Sequence, residues 1–321
     1  MESNNPLITI GIPTYNRADG YLSGVLECAT AQTYQNIEII VSDNCSSDST
    51  EKVVKNIDDS RLIYIRHNKN IGPNNNFNYC LEKANGLYFL LLHDDDLIDK
   101  DFIEACVNKI VKNKNAGIIR TGTRIIDGSG IVKNEIKNLV DGYSFEEFIM
   151  AWYYRQTALY LCSTLFNTKQ LKEIGGFHSS KNLFQDVIAE VRLAAAHGRE
   201  DIPEVKASFR RHGDEITFSS KVEDWCEDSL ELLNVICELA QVNKDLIRQE
   251  SLTYFTRKNF GRASAIRSPL ARLQACLSVS RYFDRFPPPF WALFPRGPLS
   301  HYLRQKERSR DEVLCEERSG L

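Results

Sequence analysis

The sequence lacks the signatures of a disulfide-rich, zinc-binding or membrane-spanning protein. Its nine cysteines are scattered and odd in number, and no two of them have Cys-x-x-Cys spacing. Such cysteines are typical of reduced thiols, so we expect a cytoplasmic protein. The N-terminus has no basic segment followed by an apolar core, which predicts no signal peptide. No run of 18 apolar residues occurs, which predicts no membrane span.

The charge is distributed unevenly along the 321 residues, whose formal sum is -3. Between Arg257 and Arg310, twelve Lys and Arg residues accompany only two acids, so this segment carries about +10 and the remainder about -13. A basic segment on an acidic body indicates an anionic partner. The acidic body argues against nucleic acid as that partner.

Short apolar runs alternate with amphipathic stretches through the first third of the chain. The runs LITIGIPTY, IEIIVSD and LYFLLL are of strand type, whereas KDFIEACVNKIVKN has apolar residues at helical spacing. The alternation predicts an α/β fold with a mostly parallel central sheet flanked by helices. Asp127–Gly130 reads as a hairpin turn, and from about Val222 the pattern predicts a C-terminal helical extension.

Polar residues follow the predicted strands. Thr14, Tyr15 and Asn16 come after the first strand, Asp43 ends the second, and Asp94–Asp96 follow the fourth. In parallel sheets, ligands bind beyond the carboxyl ends of the strands. Three adjacent carboxylates repel one another, so they indicate either a solvated loop with capping aspartates or a bound cation.

Two long segments resemble the family 2 glycosyltransferases of the GT-A fold. They are ITIGIPTYNRADGYLSGVLECATAQTYQNIEIIVSDNCSSDSTEKVV and NKNIGPNNNFNYCLEKANGLYFLLLHDDDLI. The resemblance extends over about residues 7–220 and implies a GT-A domain at 1–220, with nucleotide-sugar binding in about 1–100 and the acceptor side in about 101–220. Residues 221–321 then form a basic helical extension.

The resemblance also implies a donor site for a nucleotide sugar, with UDP or another pyrimidine nucleotide favoured. The implied nucleotide-sugar-binding residues are Pro13, Thr14, Tyr15, Asn16, Arg17, Asp43, Asn76, Asp94 and Arg211. Mg²⁺ or Mn²⁺ would be held by Asp95, Asp96 and His212. A hard cation held by carboxylates neutralises a diphosphate leaving group.

Alternatives remain for several of these residues. Asp43 also fits a turn or helix-cap residue, and Asn76 also fits a solvated helix start. Arg210 competes with Arg211 as the phosphate contact. His93 stands where many relatives have an aspartate, and we interpret it as variation rather than as a ligand.

The acceptor side carries the pair Gln185-Asp186 where the family has Glu-Asp. The resemblance implies that Asp186 is the general base of an inverting transfer, taking the proton from the acceptor hydroxyl. Its alternative is an acid placed at a helix start by the macrodipole, with Glu190 then the next candidate base.

The basic extension reads as an amphipathic helix capped by Ser268. Apolar residues recur at Leu270, Leu273 and Leu277 among arginines, and Trp291 follows in a proline-rich turn. This pattern predicts docking on an anionic membrane, with Trp291 at the interface. The alternative is a helix that packs on the catalytic domain with its arginines solvated.

These observations together predict an inverting, metal-dependent glycosyltransferase, peripheral on the inner face of the cytoplasmic membrane. By family analogy it acts on a glycan or lipid-linked acceptor in bacterial surface polysaccharide synthesis, meaning O-antigen, capsule or exopolysaccharide. One alternative is a sugar-phosphate nucleotidyltransferase, but GIPTYNRADG lacks the Gly-rich basic loop expected there. The other is a non-catalytic module that binds nucleotide sugars or glycans.

Overall fold

The computed structural model describes residues 5–212, 220–295 and 302–303. The strands are β1 (Ile8–Thr14), β2 (Ile37–Asp43), β3 (Leu62–Arg66), β4 (Tyr88–Leu91), β5 (Leu97–Ile98), β6 (Ile118–Asp127), β7 (Val132–Ile136), β8 (Thr164–Asn167) and β9 (Arg199–Arg211). The helices are α1 (Leu22–Thr30), α2 (Thr50–Lys55), α3 (Pro73–Lys83), α4 (Phe102–Ile110), α5 (Phe145–Tyr153), α6 (Thr168–Glu173), α7 (Gln185–His197), α8 (Val222–Leu239), α9 (Lys244–Ala265), α10 (Pro269–Phe283) and α11 (Phe290–Leu293).

The chain divides into two compact units. The first comprises Met1–Phe145, Gln156–His178 and Gln185–Asp214, and the second comprises Glu146–Arg155, Ser179–Phe184 and Glu215–Leu321.

The first unit contains one sheet in the order β3-β2-β1-β4-β8-β6-β9-β5, with β7 paired to β6. The run β3-β2-β1-β4 is parallel throughout, and β6 pairs with β9 in parallel. The strand β8 runs antiparallel to both β4 and β6, and β7 closes the predicted hairpin on β6. The predicted mostly parallel sheet with flanking helices is confirmed.

The strand β1 lies between β2 and β4 in the parallel run and is covered on both faces. All seven of its residues are buried, and β2 is almost as completely buried. A side chain at Gly11 would meet the ring of Phe89 at 2.7 Å, so only glycine fits there. The pairing sets Thr14 opposite Asp43 and Gly11 opposite Leu91. The strand ends that carry the predicted polar residues therefore share one edge of the sheet.

The second unit is helical. Tyr153 of α5 stacks on Tyr254 of α9 with ring centroids 4.4 Å apart, and its hydroxyl lies 2.7 Å from Ser251 Oγ. On α8, the buried carboxylate of Asp228 accepts hydrogen bonds from the loop 179–184, including the backbone N–H of Lys181. Aromatic packing and buried polar anchors thus hold this unit together.

The helix α10 begins where the sequence predicts, and Ser268 Oγ accepts a hydrogen bond from the N–H of Ala271. Its buried side is formed by Ala275, Cys276, Val279, Ser280 and Phe283. In the described part of the chain, no helix has both the length and the apolar character needed to cross a membrane.

The prediction that Trp291 sits at an interface is wrong. Its side chain is only 5% exposed and packs edge-on against Phe260 of α9. Leu270 and Leu273 of the predicted apolar stripe are instead 67% and 43% exposed, and Phe290 is 47% exposed. The proline-rich turn therefore folds its tryptophan inward and leaves other apolar side chains at the surface.

Candidate functional site

The site lies at the carboxyl ends of β1, β2 and β4. Pro13 and Thr14 are the last residues of β1, and both are buried. Asp43 ends β2 beside Thr14, and the N–H of Leu92 donates to the carbonyl of Gly11 as β4 ends. The chain then turns directly into the three aspartates.

Asp43 is fully buried and held by donors from three directions. Tyr64 donates its hydroxyl to Oδ2 at 2.6 Å, and the N–H of Ser46 donates to Oδ1 at 2.8 Å. The guanidinium of Arg66 lies 3.8 Å from Oδ2. Burial and the bond to Asp43 raise the pKa of Tyr64, so its hydroxyl remains a donor. The bond to Ser46 shows that Asp43 also shapes the turn after β2.

The loop after β1 is joined to the loop after β2. Asn16 has a positive φ of 53°, its N–H donates to Ser46 Oγ, and its side-chain oxygen accepts from the N–H of Ser47. This conformation leaves Tyr15 45% exposed beside the buried Thr14. A nucleotide base can stack on the exposed ring of Tyr15, close to the buried carboxylate of Asp43.

The three aspartates occupy different environments. Asp94 has a side chain 13% exposed, Oδ1 lies 3.6 Å from Nε of Arg17, and burial raises its pKa to about 6. Asp96 is 1% exposed and accepts from the N–H of Arg210 at 2.9 Å. Burial, followed by the charge of Asp95, raises the pKa of Asp96 well above its usual value. A bound cation would lower the pKa of Asp94 and of Asp96, because it stabilises their charged carboxylates.

Two residues at the end of β9 reach back to this loop. His212 Nε2 lies 2.8 Å from Oδ2 of Asp95. Arg210 donates from Nε to the carbonyl of Asp95 at 2.7 Å and stacks over the ring of Tyr21 at 4.3 Å. Arg210 thus fixes the loop, while the neighbouring Arg211 is exposed.

His93 lies close to Asp95 and Asp96, and the sequence did not predict that these three side chains come together. One of its ring nitrogens and one oxygen each of Asp95 and Asp96 all lie within 4.8 Å of one another. Its Nε2 is buried and makes no hydrogen bond, and the ring lies against Phe77. Carboxylate oxygens with imidazole nitrogen form a donor set that fits a divalent cation.

Asn76 is placed differently from the other predicted nucleotide contacts. It is 2% exposed, its amide nitrogen donates to the carbonyl of Ser42, and its oxygen accepts from the Ser42 hydroxyl at 2.6 Å. His67 Nε2 lies 3.2 Å from the same oxygen. Asn76 therefore ties α3 to β2 beneath the strand ends.

Asp186 lies in the first turn of α7, partly exposed, with Oδ1 accepting from the N–H of Val187 at 2.9 Å. Glu190, the next candidate base, is fully buried one turn further along and forms an ion pair with the buried Arg120 at 3.5 Å. Burial raises the pKa of Glu190 to about 8 despite this pair. A fully buried carboxylate cannot reach an acceptor hydroxyl, so of the two only Asp186 is accessible.

Residues 9–174 match the sequence profile of glycosyl transferase family 2. An uncharacterized glycosyltransferase of Haemophilus influenzae is 41% identical over 113 residues, 34% of this chain and 44% of that protein. GalNAc(5)-diNAcBac-PP-undecaprenol beta-1,3-glucosyltransferase of Campylobacter jejuni is 32% identical over 134 residues, 40% of this chain and 42% of that protein. The matches therefore take up less than half of each relative.

Solved structures of the same fold cover nearly the whole chain. S. aureus TarS in complex with UDP-GlcNAc superposes with a TM-score of 0.62 at 18% identity, over 98% of this chain and 92% of that one. The mannosyltransferase PcManGT of Pyrobaculum calidifontis, in complex with GDP-Man and Mn²⁺, gives 0.53 at 15% identity over 90% and 83%. The likeness confirms the predicted GT-A architecture with its C-terminal helices.

Proposed function

The chain belongs to glycosyl transferase family 2, and on that premise we propose that it transfers a sugar, with inversion, from a nucleotide-sugar donor to a glycan or lipid-linked acceptor. The observation that carries this proposal is the convergence of Asp43 and Asp94–Asp96 at one edge of the sheet. Donor binding would occupy this edge and the first 100 residues, and the acceptor would meet the residues that follow.

The base of the donor would contact Asp43, whose protein partners are all donors. A carboxylate held in this way accepts a hydrogen bond from a ring N–H, which uracil presents. The exposed ring of Tyr15 would stack on the base, while Arg17 orders Asp94 for contact with the ribose. UDP in the TarS complex supports a uridine nucleotide as the first choice.

A divalent cation, Mg²⁺ or Mn²⁺, would neutralise the diphosphate leaving group when bound. Asp95 and Asp96 would hold it, and His212 lies beside them with Nε2 at Oδ2 of Asp95. Arg210 keeps the aspartates in place by donating to the carbonyl of Asp95 and to the carboxylate of Asp96, and Arg211 would contact the phosphates. Mn²⁺ in the PcManGT complex supports a cation in this fold.

Asp186 would remove the proton from the acceptor hydroxyl as that oxygen attacks the anomeric carbon. Attack opposite the leaving phosphate forms the new glycosidic bond, breaks the bond to the diphosphate and inverts the configuration. Two observations support this role for Asp186. Its carboxylate is accessible in the first turn of α7, whereas the alternative base Glu190 is fully buried.

The acceptor would be lipid-linked and the reaction would take place at the inner face of the cytoplasmic membrane, in surface polysaccharide synthesis. The undecaprenol-linked substrate in the name of the Campylobacter relative supports this class. Exposed Leu270 and Leu273 lie on α10 near the arginines Arg267, Arg272 and Arg281. Apolar side chains flanked by arginines suit an anionic lipid surface.

A donor-cleavage assay tests the proposed reaction. The full chain, incubated with Mn²⁺ and UDP-, GDP-, CDP- or TDP-sugars, should release nucleoside diphosphate from one donor class, and transfer should follow when an acceptor is added. Release of pyrophosphate from a nucleoside triphosphate and a sugar phosphate would indicate a nucleotidyltransferase instead. Binding without any release would indicate a non-catalytic module.

A further inference from the structure

We propose that His93 is a nitrogen ligand of the donor-site cation and that it makes this site favour a first-row transition ion over Mg²⁺. The proposal rests on the proposed function, since it concerns the cation of the same site. It starts from one observation: a ring nitrogen of His93 shares a 4.8 Å cluster with oxygens of Asp95 and Asp96.

One ring nitrogen of His93 has no hydrogen-bond partner among the described residues. Its Nε2 is buried yet makes no hydrogen bond, which is unfavourable unless a ligand completes the contact. The flat side of the imidazole is supported by Phe77, whose ring centroid is 4.9 Å away at an angle of 36°. A buried imidazole nitrogen without a protein partner is chemically able to bind a metal ion, and the packing against Phe77 limits the rotation of the ring.

His212 contacts the same cluster in a different way. Its Nε2 is bound to Oδ2 of Asp95 at 2.8 Å, and the main chain beside it is held because the N–H of Arg210 donates to Asp96. These contacts orient the two carboxylates from outside. The structure therefore distinguishes a histidine that orients a ligand, His212, from a histidine placed to be a ligand, His93.

Nitrogen in the ligand set changes which cation binds best. Mg²⁺ strongly prefers oxygen ligands and gives up water reluctantly, whereas transition ions gain affinity from imidazole. An aspartate at position 93 would give an all-oxygen cluster suited to Mg²⁺. With histidine there, Mn²⁺ and the later ion Co²⁺ should outcompete Mg²⁺.

Competition measured on the full-length protein with UDP tests the proposal without any turnover. Bound Mn²⁺ is followed by electron paramagnetic resonance while Mg²⁺ is added, for the wild type, for His93→Asp and for the exposed control His178→Asp. We expect His93→Asp to lower the Mg²⁺ needed for half-displacement by about tenfold or more, the scale on which groups around a metal alter its affinity. The control should match the wild type.

A second measurement needs no variant at position 93. Pulsed resonance of Mn²⁺ in His212→Asn should still detect coupling to a histidine nitrogen, because His93 remains. Absence of that coupling, or an unchanged Mg²⁺ to Mn²⁺ ratio in folded His93→Asp, overturns the proposal. If Mn²⁺ binds with nitrogen coupling but no nucleotide sugar is cleaved, the proposed function fails and the role of His93 stands.

Discussion

His212 Nε2 lies 2.8 Å from Oδ2 of Asp95, a contact between residues 117 positions apart in the sequence. It joins the end of β9 to the loop after β4, and Arg210 repeats the connection through the backbone of the same loop. The aspartate cluster is therefore built by two strands, one from each half of the first unit.

Asp186→Asn should reduce turnover by about a hundredfold or more while leaving donor affinity unchanged, because removing a general base affects proton transfer rather than binding. Transfer kinetics at saturating acceptor and UDP binding by calorimetry measure the two effects. The matched control is Asp245→Asn, which changes an exposed acid in the first turn of α9. Equal small losses in both variants would mean that Asp186 only stabilises its helix.

Asp43→Asn should weaken UDP binding, because the new amide places an N–H where the base also presents one. The loss of a charged hydrogen bond is worth about 1.5–3 kcal/mol, roughly tenfold to a hundredfold in affinity. The exposed Asp58→Asn is the control and should bind UDP as the wild type does. Unchanged affinity in Asp43→Asn would leave Asp43 with only its role in the turn.

Glu190 should make the fold less stable as the pH rises. The pKa of its carboxyl is raised from 4.5 to about 8, chiefly by burial, so above pH 4.5 the unfolded chain has released a proton that the native state retains. Glu190 therefore contributes its full stabilisation of the native state below pH 4.5, and this stabilisation is lost progressively as the pH rises to about 8. Relative to Glu190→Gln, the wild type should lose free energy of unfolding across that window.

Urea denaturation of the wild type, Glu190→Gln and the exposed control Glu204→Gln measures this effect. The difference between the wild type and Glu190→Gln should change with pH, whereas the difference from Glu204→Gln should not. Parallel pH profiles for all three proteins would show that Glu190 ionises normally within the fold.

Leu270→Glu with Leu273→Glu should reduce binding to vesicles containing phosphatidylglycerol, because the change puts charge on the most exposed apolar positions of α10. Each nearby arginine contributes about 1 kcal/mol at an anionic surface, so high salt should weaken binding as well. Ile131→Glu, which alters an exposed apolar residue of the first unit, is the control. Equal sedimentation with anionic and neutral vesicles would contradict membrane docking.

Periodicity and the strand-end rule were sufficient to predict the parallel sheet and the meeting of Thr14, Asp43 and Asp94, because the strand pattern is local and the carboxyl ends of parallel strands share one edge of a sheet. Arg210 as the residue that fixes the aspartate loop could not be predicted, since its partners are more than a hundred positions away. The orientation of Trp291 also escaped prediction, because composition does not reveal which face of a turn packs inward.

In the proposed reaction, Asp94–Asp96 and a divalent cation together bind the donor nucleotide. Calorimetric titration of UDP into the full chain, with Mn²⁺ and then with EDTA, measures this binding in the wild type, Asp95→Asn and the exposed control Asp141→Asn. We expect Mn²⁺-dependent binding in the wild type and control, and its loss in Asp95→Asn with an unchanged unfolding transition. Mn²⁺-dependent UDP affinity that persists undiminished in Asp95→Asn would contradict this expectation.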